Sequence, residues 1–176
     1  IQKNSLIKKG EAVDAYTFSL EQQRILQELQ NRGFADFNLN YISLEGDSSN
    51  LDKRIDYFVK ILNPANKKNH KRYTFGKINV FTNYRQDQLL SKTDSVFYNG
   101  KFYHKDSRKF VMKLKSIDNN IFIKSNKLYN RDQHYKTINK LTDLSTYKFV
   151  KLSPYIDPVQ DSVINYRVLL TPHVRK

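Results

Sequence analysis

Cysteine is absent from the 176 residues. That excludes a disulfide framework and a thiolate zinc site, and it leaves the compartment open between periplasm and cytosol. Long apolar runs are also missing: nothing approaches the roughly 20 residues that a membrane-spanning helix needs. Neither a G-x-G-x-x-G run nor a P-loop occurs, so no phosphate-cradling glycine loop is expected. The histidines, His70, His104, His134 and His173, are scattered and never stand at a metal-ligand spacing such as H-x3-H. Glu45, Asp47, Asp56, Asp157 and Asp161 fall in expected turns or strands, where such Asp residues usually bond their own backbone. With no nucleophile, base and acid set in view, the sequence reads as a non-enzyme without metal or cofactor.

What the chain has is positive charge. Lys and Arg number 31 against 17 Asp and Glu, a net charge of +14. An excess of that size attracts polyanions: nucleic acid, anionic lipid heads or acidic proteins. The richness in Lys, Asn and Ile also fits an AT-rich coding sequence. The basic stretch over 101–127 holds Lys101, Lys105, Arg108, Lys109, Lys113 and Lys115 as candidates for an anionic-surface site, set against the plainer reading of a solvated face. The 12 Tyr and 11 Phe, interleaved with Lys, could serve as stacking platforms for nucleic acid. Most, however, sit at alternating strand positions, which suits core and sheet-face roles.

The chain also repeats itself. Asn4-Ser-Leu-Ile-Lys8 opens one copy and Asn120-Ile-Phe-Ile-Lys124 the other. A helix follows in each. In the first, Ser19 with Gln22 forms a capping-box pattern, Ile25, Leu26 and Leu29 share a face, and Gly33 suits a left-handed stop. In the second, Asn130 with Gln133 is the cap, Ile138 and Leu141 answer Leu26 and Leu29, and Ser145 stands where Gly33 stood. Phe149 answers Phe37 on a short aromatic strand. Turns follow, at Asp47 to Asn50 and at Asp157-Pro158 with Asp161. The closing strands alternate through Ile55, Tyr57, Val59 and Ile61, and through Ile164, Tyr166, Val168 and Leu170. Their terminal residues, Pro64 and Pro172, match one position out of step with that alternation, so a local bulge is expected.

Between the copies lies a basic linker, Lys67 to Arg72. Tyr73 to Tyr84 reads as a strand, and Val96 to Tyr103 as a hairpin turning at Asn99-Gly100. Phe110, Val111, Leu114 and Ile117 give helical spacing over 108–117. The second copy is thus strand, inserted hairpin, helix, helix, strand, strand. The first has helix, strand, strand, and its opening strand and first helix are expected upstream of Ile1.

Strand-helix-helix-strand-strand resembles the POTRA domain of BamA and TamA-type outer-membrane proteins. Ser5 to Gly10, Gln22 to Ile25, Asn31 to Phe34 with Phe37, and Lys71 to Val80 are similar to the TamL-like branch of Bacteroidota. So are Ile121 to Lys124, Leu128-Tyr129, Tyr147 to Val150 and Leu169 to Pro172. The chain departs from that branch at Ser145-Thr146. The resemblance implies an α+β chain of tandem POTRA domains. Each would be a βααββ unit, a three-stranded mixed sheet packed on two helices. Residues 1–66 would be the C-terminal part of the penultimate domain, and residues 67–176 the complete last domain before a membrane barrel. It implies the periplasmic face of the outer membrane. The implied partners are unfolded outer-membrane client proteins, a TamB-like envelope-spanning partner and anionic phospholipid head groups.

A three-stranded sheet has two edge strands with unpaired backbone groups. Phe37, Leu39 and Tyr41 in one copy, and Tyr147, Phe149 and Lys151 in the other, are the candidate edge residues. Such an edge accepts an extended chain by β-augmentation, while Lys148, Lys151 and Pro154 could instead protect it. The alternative function from another class is a basic nucleic-acid-binding module.

Overall fold

The computed structural model describes residues 2–47, 55–85, 94–105 and 110–173. The chain divides into two units, Ile1–Lys71 and Arg72–Lys176.

In the first unit, helix α1 spans Ala15–Asn31. Its N-cap is Asp14, whose carboxylate accepts from the Thr17 amide at 2.6 Å, and that bond holds the Asp14 pKa below its usual value. The capping pattern at Ser19 therefore lies inside the helix: two acceptors fit the local spacing, and the earlier one takes the first turn. The end follows the sequence expectation. Gly33 adopts φ +100°, its amide donates to Gln30 O, and the Phe34 amide donates to Leu29 O, a Schellman stop. Ile25, Phe37 and Ile42 form the core, with Leu26, Leu29, Phe34, Tyr41 and Val59 around it. Strands β1 (Ile42–Asp47) and β2 (Asp56–Ile61) pair antiparallel; most of the turn expected between them, 48–50, lies outside the described residues. The segment before α1 is tied to Glu21, which accepts from Ser5 Oγ at 2.8 Å, from the Leu6 amide at 2.9 Å and from Arg24 at 2.8 Å. Arg24 is the main reason that Glu21 ionises at about 2.

The second unit contains β3 (Thr74–Phe81), β4 (Asp94–Tyr98), β5 (Lys101–Lys105), α2 (Leu114–Asp118), α3 (Arg131–Thr142), β6 (Tyr147–Ile156) and β7 (Val163–Pro172). The sheet has five strands in the order β4-β5-β3-β7-β6, not three, because the inserted hairpin joins it by laying β5 parallel to β3. Without β4 and β5 the remainder is the expected βααββ order, with β3 parallel to β7 and β6 antiparallel to it. Of the helical spacing over 108–117, residues 108 and 109 lie outside the described residues, and within the rest the helix begins at Leu114. The irregular positions are between Phe75 and Ile78 on β3 and between Tyr147 and Phe149 on β6; β7 itself runs unbroken.

Alternation on β7 sorts the two faces. Ile164, Tyr166, Val168 and Leu170 are buried on one face, together with Ile78, Val80 and Tyr103. Ile117, Ile121, Ile123 and Leu141, from α2, α3 and the segment joining them, complete that core. Asn130 caps α3 through Gln133, as its sequence indicates. His134 Nδ1 lies 3.1 Å from the Tyr166 hydroxyl, which ties the helix to the central strand. In the first unit the same alternation leaves Tyr57 and Ile61 on β2, and Ile55 just before it, exposed; among the described residues β2 has β1 as its only neighbouring strand.

Two side-chain devices hold the second sheet. Gly76 sits at the β3 irregularity, where a Cβ would overlap Asn165 Oδ1 and Val163 Cγ1. Asn165 fills that space because it accepts from the Lys77 amide at 2.7 Å and donates to Asp157 at 2.8 Å. The hairpin turn adopts φ 46° at Asn99 and 77° at Gly100, as a type I′ turn requires. Asp118, at the end of α2, then clasps it, accepting from Lys101 Nζ at 2.7 Å, from the Tyr103 hydroxyl at 2.6 Å and from the side-chain Nδ2 of Asn99 at 2.5 Å. Burial opposes ionisation of Asp118, but these three donors outweigh it and keep its pKa below the usual carboxylate value.

Gly76→Ala is expected to cost about 2 kcal/mol or more, as overpacking does, measured by urea unfolding; an unchanged midpoint would show that Asn165 moves freely. Asp118→Ala strands the Lys101 ammonium in the interior and is expected to cost roughly 3–5 kcal/mol. The double replacement Asp118→Leu with Lys101→Met should recover most of that loss in the same measurement.

Candidate functional site

The candidate site is the outer rim of β6. This strand ends the sheet order, so one row of its backbone groups has no strand beside it among the described residues. Which groups those are follows from the pairing. Leu170 O accepts from the Tyr84 amide at 2.9 Å, so Leu170 turns its backbone toward the β3 side. Val150 stands opposite Leu170 and therefore presents its own N–H and C=O outward, as do Leu152 and Pro154 by the period of two. Pro154 has no N–H, and a sheet tolerates proline where its nitrogen faces solvent. The rim thus offers the amides of Val150 and Leu152, with Pro154 closing one end.

Side chains around the rim divide by face. Tyr147 and Leu152 point into the core, at 4% and 8% exposure, and burial pushes the Tyr147 hydroxyl up to about 12. Phe149 is 61% exposed and Lys151 is exposed beside it. Lys148 Nζ lies 5.2 Å from the Phe149 ring centroid, and Arg167 lies 4.7 Å from that of Tyr155. The rim is therefore apolar toward the helices and aromatic-cationic on the other face.

The first-unit candidates are not edge residues. Phe37 is 2% exposed and precedes a 3-10 turn over Leu39–Tyr41, with strand β1 beginning only at Ile42. Its ring is 4.8 Å from that of His70, which also meets Tyr41 at 4.7 Å. The aromatic spacing that suggested a strand serves a core contact instead.

The basic candidates scatter as well. Lys101 is 3% exposed and paired with Asp118, so it is no part of an anionic-surface site; the short reach from the hairpin turn to α2 consumes its charge. Lys105 is half-buried, 5.7 Å from the Phe110 ring centroid. Lys113 and Lys115 are exposed at and within α2. Arg108 and Lys109 lie outside the described residues. Sequence reasoning missed the Asp118 clasp, since nothing in the spacing from Lys101 to Asp118 marks them as partners. Among the described residues, no group of three or more His, Asp or Glu side chains stands together as a metal site would require.

No protein-family model matches the chain, and no curated protein matches its sequence. Solved structures do match. The crystal structure of BamA from Haemophilus ducreyi lacking POTRA domains 1-3 superposes over 97% of this chain at 12% identity, with a TM-score of 0.63. The chain covers 26% of that structure's length. POTRA1-3 of the periplasmic domain of Omp85 from Anabaena matches over 94% of this chain and 54% of its own, at 12% identity and a TM-score of 0.44. Haemophilus influenzae BamA POTRA3-5 matches over 92% and 83%, at 9% identity and a TM-score of 0.32. The first of these shares the fold of this chain: an α+β chain of POTRA type, with helices packed against a mixed sheet.

Proposed function

We propose that the chain is the periplasmic POTRA region of an outer-membrane protein assembly or translocation factor of the BamA/TamA superfamily, nearest the TamL-like branch. In this reading residues 1–66 and 67–176 are the penultimate and last POTRA domains before a β-barrel. It acts without catalysis. Unfolded outer-membrane client chains or partner subunits, among them a TamB-like envelope-spanning protein, add a strand to β6 and are handed on. Lys105, Lys113 and Lys115 steer the surface toward anionic phospholipid head groups.

The observation that carries the reading is the outward row of Val150 and Leu152 on β6. A backbone edge supplies affinity with little demand on sequence, which suits a receptor for many different strands. The cations around it, Lys148 and Lys151, hold copies of this chain apart while leaving an acidic or neutral strand free to approach.

The test is hydrogen exchange on the purified chain mixed with an outer-membrane barrel polypeptide diluted from urea. The amides of Val150 and Leu152 are expected to slow, and Val150→Pro, which removes one outward donor while sparing the β7 ladder, should weaken binding roughly tenfold. Unchanged exchange at both amides would overturn the site. Submicromolar binding to single-stranded nucleic acid at moderate salt, falling steeply on a log–log salt plot, would favour the nucleic-acid reading instead.

A further inference from the structure

The hairpin gives the sheet a second rim, opposite β6 and different in kind. His104 O accepts from the Thr82 amide at 3.3 Å and from Thr82 Oγ1 at 3.1 Å, so His104 turns its backbone toward β3. Ser95 stands opposite His104 on β4, and its N–H and C=O therefore face outward. By the same period Phe97 does so too.

All five residues of β4 are exposed. Phe97, 65% exposed, lies on the helix-free face, 5.0 Å from the Phe102 ring. Val96 and Tyr98, at 39% and 37%, lie on the other face. Edge strands are normally blunted by lysine, proline or a bulge; β6 carries all three, whereas β4 carries none of them and has only Asp94, at its start, as a charged residue. The strand is also fixed in place. The type I′ turn, the Asp118 clasp and a bond from Ser125 Oγ to Gly100 O at 3.2 Å hold the hairpin at its turn.

We propose that β4 is a docking edge for an extended segment of a partner polypeptide carrying about three or more consecutive apolar residues. Among the described residues no strand lies beside β4 on its outer side, and such a row of amides and carbonyls is met in full only by another extended backbone. The run must be apolar at successive positions because Phe97 waits on one face and Val96 with Tyr98 on the other. Strands apolar on both faces read as continuous apolar runs. The β6 rim, with Phe149 and Lys151 on its outer face, suits alternating strands instead, so the two edges select different partners. A second copy of this chain is disfavoured as the occupant by the net charge of +14, which sets two copies against each other. The inference stands whether or not β6 receives clients.

The experiment uses the 176-residue chain and a fluorescein-labelled peptide with a run of valine and phenylalanine between glutamate pairs, followed by fluorescence anisotropy. Ser95→Pro removes an outward amide without touching the ladder to β5, and it is expected to weaken binding at least roughly tenfold, whereas Val150→Pro should leave it unchanged. Amide exchange in the unsubstituted chain, slowing at Ser95 and Phe97 when the peptide is added, gives the same answer if the proline variant fails to fold. Absence of binding, equal binding by Ser95→Pro, or protection at Val150 and Leu152 in place of Ser95 and Phe97 would overturn the proposal. So would a concentration-dependent dimer in sedimentation that Ser95→Pro abolishes, since β4 would then belong to a second copy.

Discussion

Strand β7 is hydrogen-bonded on both sides, by β3 and by β6, and nearly all of its residues between Ile164 and Leu170 are buried. The second unit is organised around meeting that demand. A parallel neighbour cannot be reached by a tight turn, so the chain between β3 and β7 must cross over, and α2 and α3 are the crossover. They cover the face that Ile164, Tyr166, Val168 and Leu170 present. The antiparallel neighbour β6 needs only a short turn, and Asp157 builds it by accepting from the Val159 and Gln160 amides at 3.0 Å each. Once β7 is satisfied, the unmet backbone groups are pushed outward to the ends of the sheet.

Those ends hold the backbone groups that have no strand beside them among the described residues. Several polar groups inside the second unit are committed. Asp118 is held by three donors, and Asn165 spans the β3 irregularity and the Asp157 turn. His104 lies stacked on Phe81 at 4.3 Å, and burial lowers its pKa and that of His134. Each rim exposes only a few backbone donors. A net contribution near 1 kcal/mol per hydrogen bond limits such an edge to modest affinity for any extended chain. The side chains beside it set which chain is preferred, and these differ: cationic and aromatic along β6, apolar on both faces along β4. The insertion therefore does more than lengthen the sheet. It covers the free side of β3 and replaces it with an edge of another character.

Local chemistry was legible from the residues alone. Gly33 stops α1, Asn130 caps α3, Asn99-Gly100 turns the hairpin, and the apolar alternation of β7 runs in the expected phase, because each depends on neighbours a few positions away. The failures share a cause. Ser19 and Asp14 both satisfy a cap pattern, and only the path of the chain before the helix chooses between them. Lys101 counts as surface charge until Asp118, far along the chain, is seen against it. Phe37 has the composition of a strand residue, yet the pull of Ile25, Tyr41 and His70 makes it a core residue in a turn. The hairpin could be read, but not its destination, since nothing in 94–105 states that β5 will lie beside β3.

The two closing strands carry this point furthest. Tyr57, Val59 and Ile61 on β2, with Ile55 just before it, follow the same alternation as Ile164, Tyr166, Val168 and Leu170 on β7. In β7 these side chains are 6% exposed or less; Ile55, Tyr57 and Ile61 are at 51%, 42% and 39%. A pattern of two sets which side chains share a face, but only neighbours decide whether that face is covered. At roughly 25 cal/mol per Å2 of apolar area, burial is the larger part of what holds a strand in place. The stability of each closing strand is therefore a property of the elements around it and not of its own sequence. The same reasoning governs the rims: β4 and β6 are both edges by topology, and what each can hold is set by the side chains that flank it.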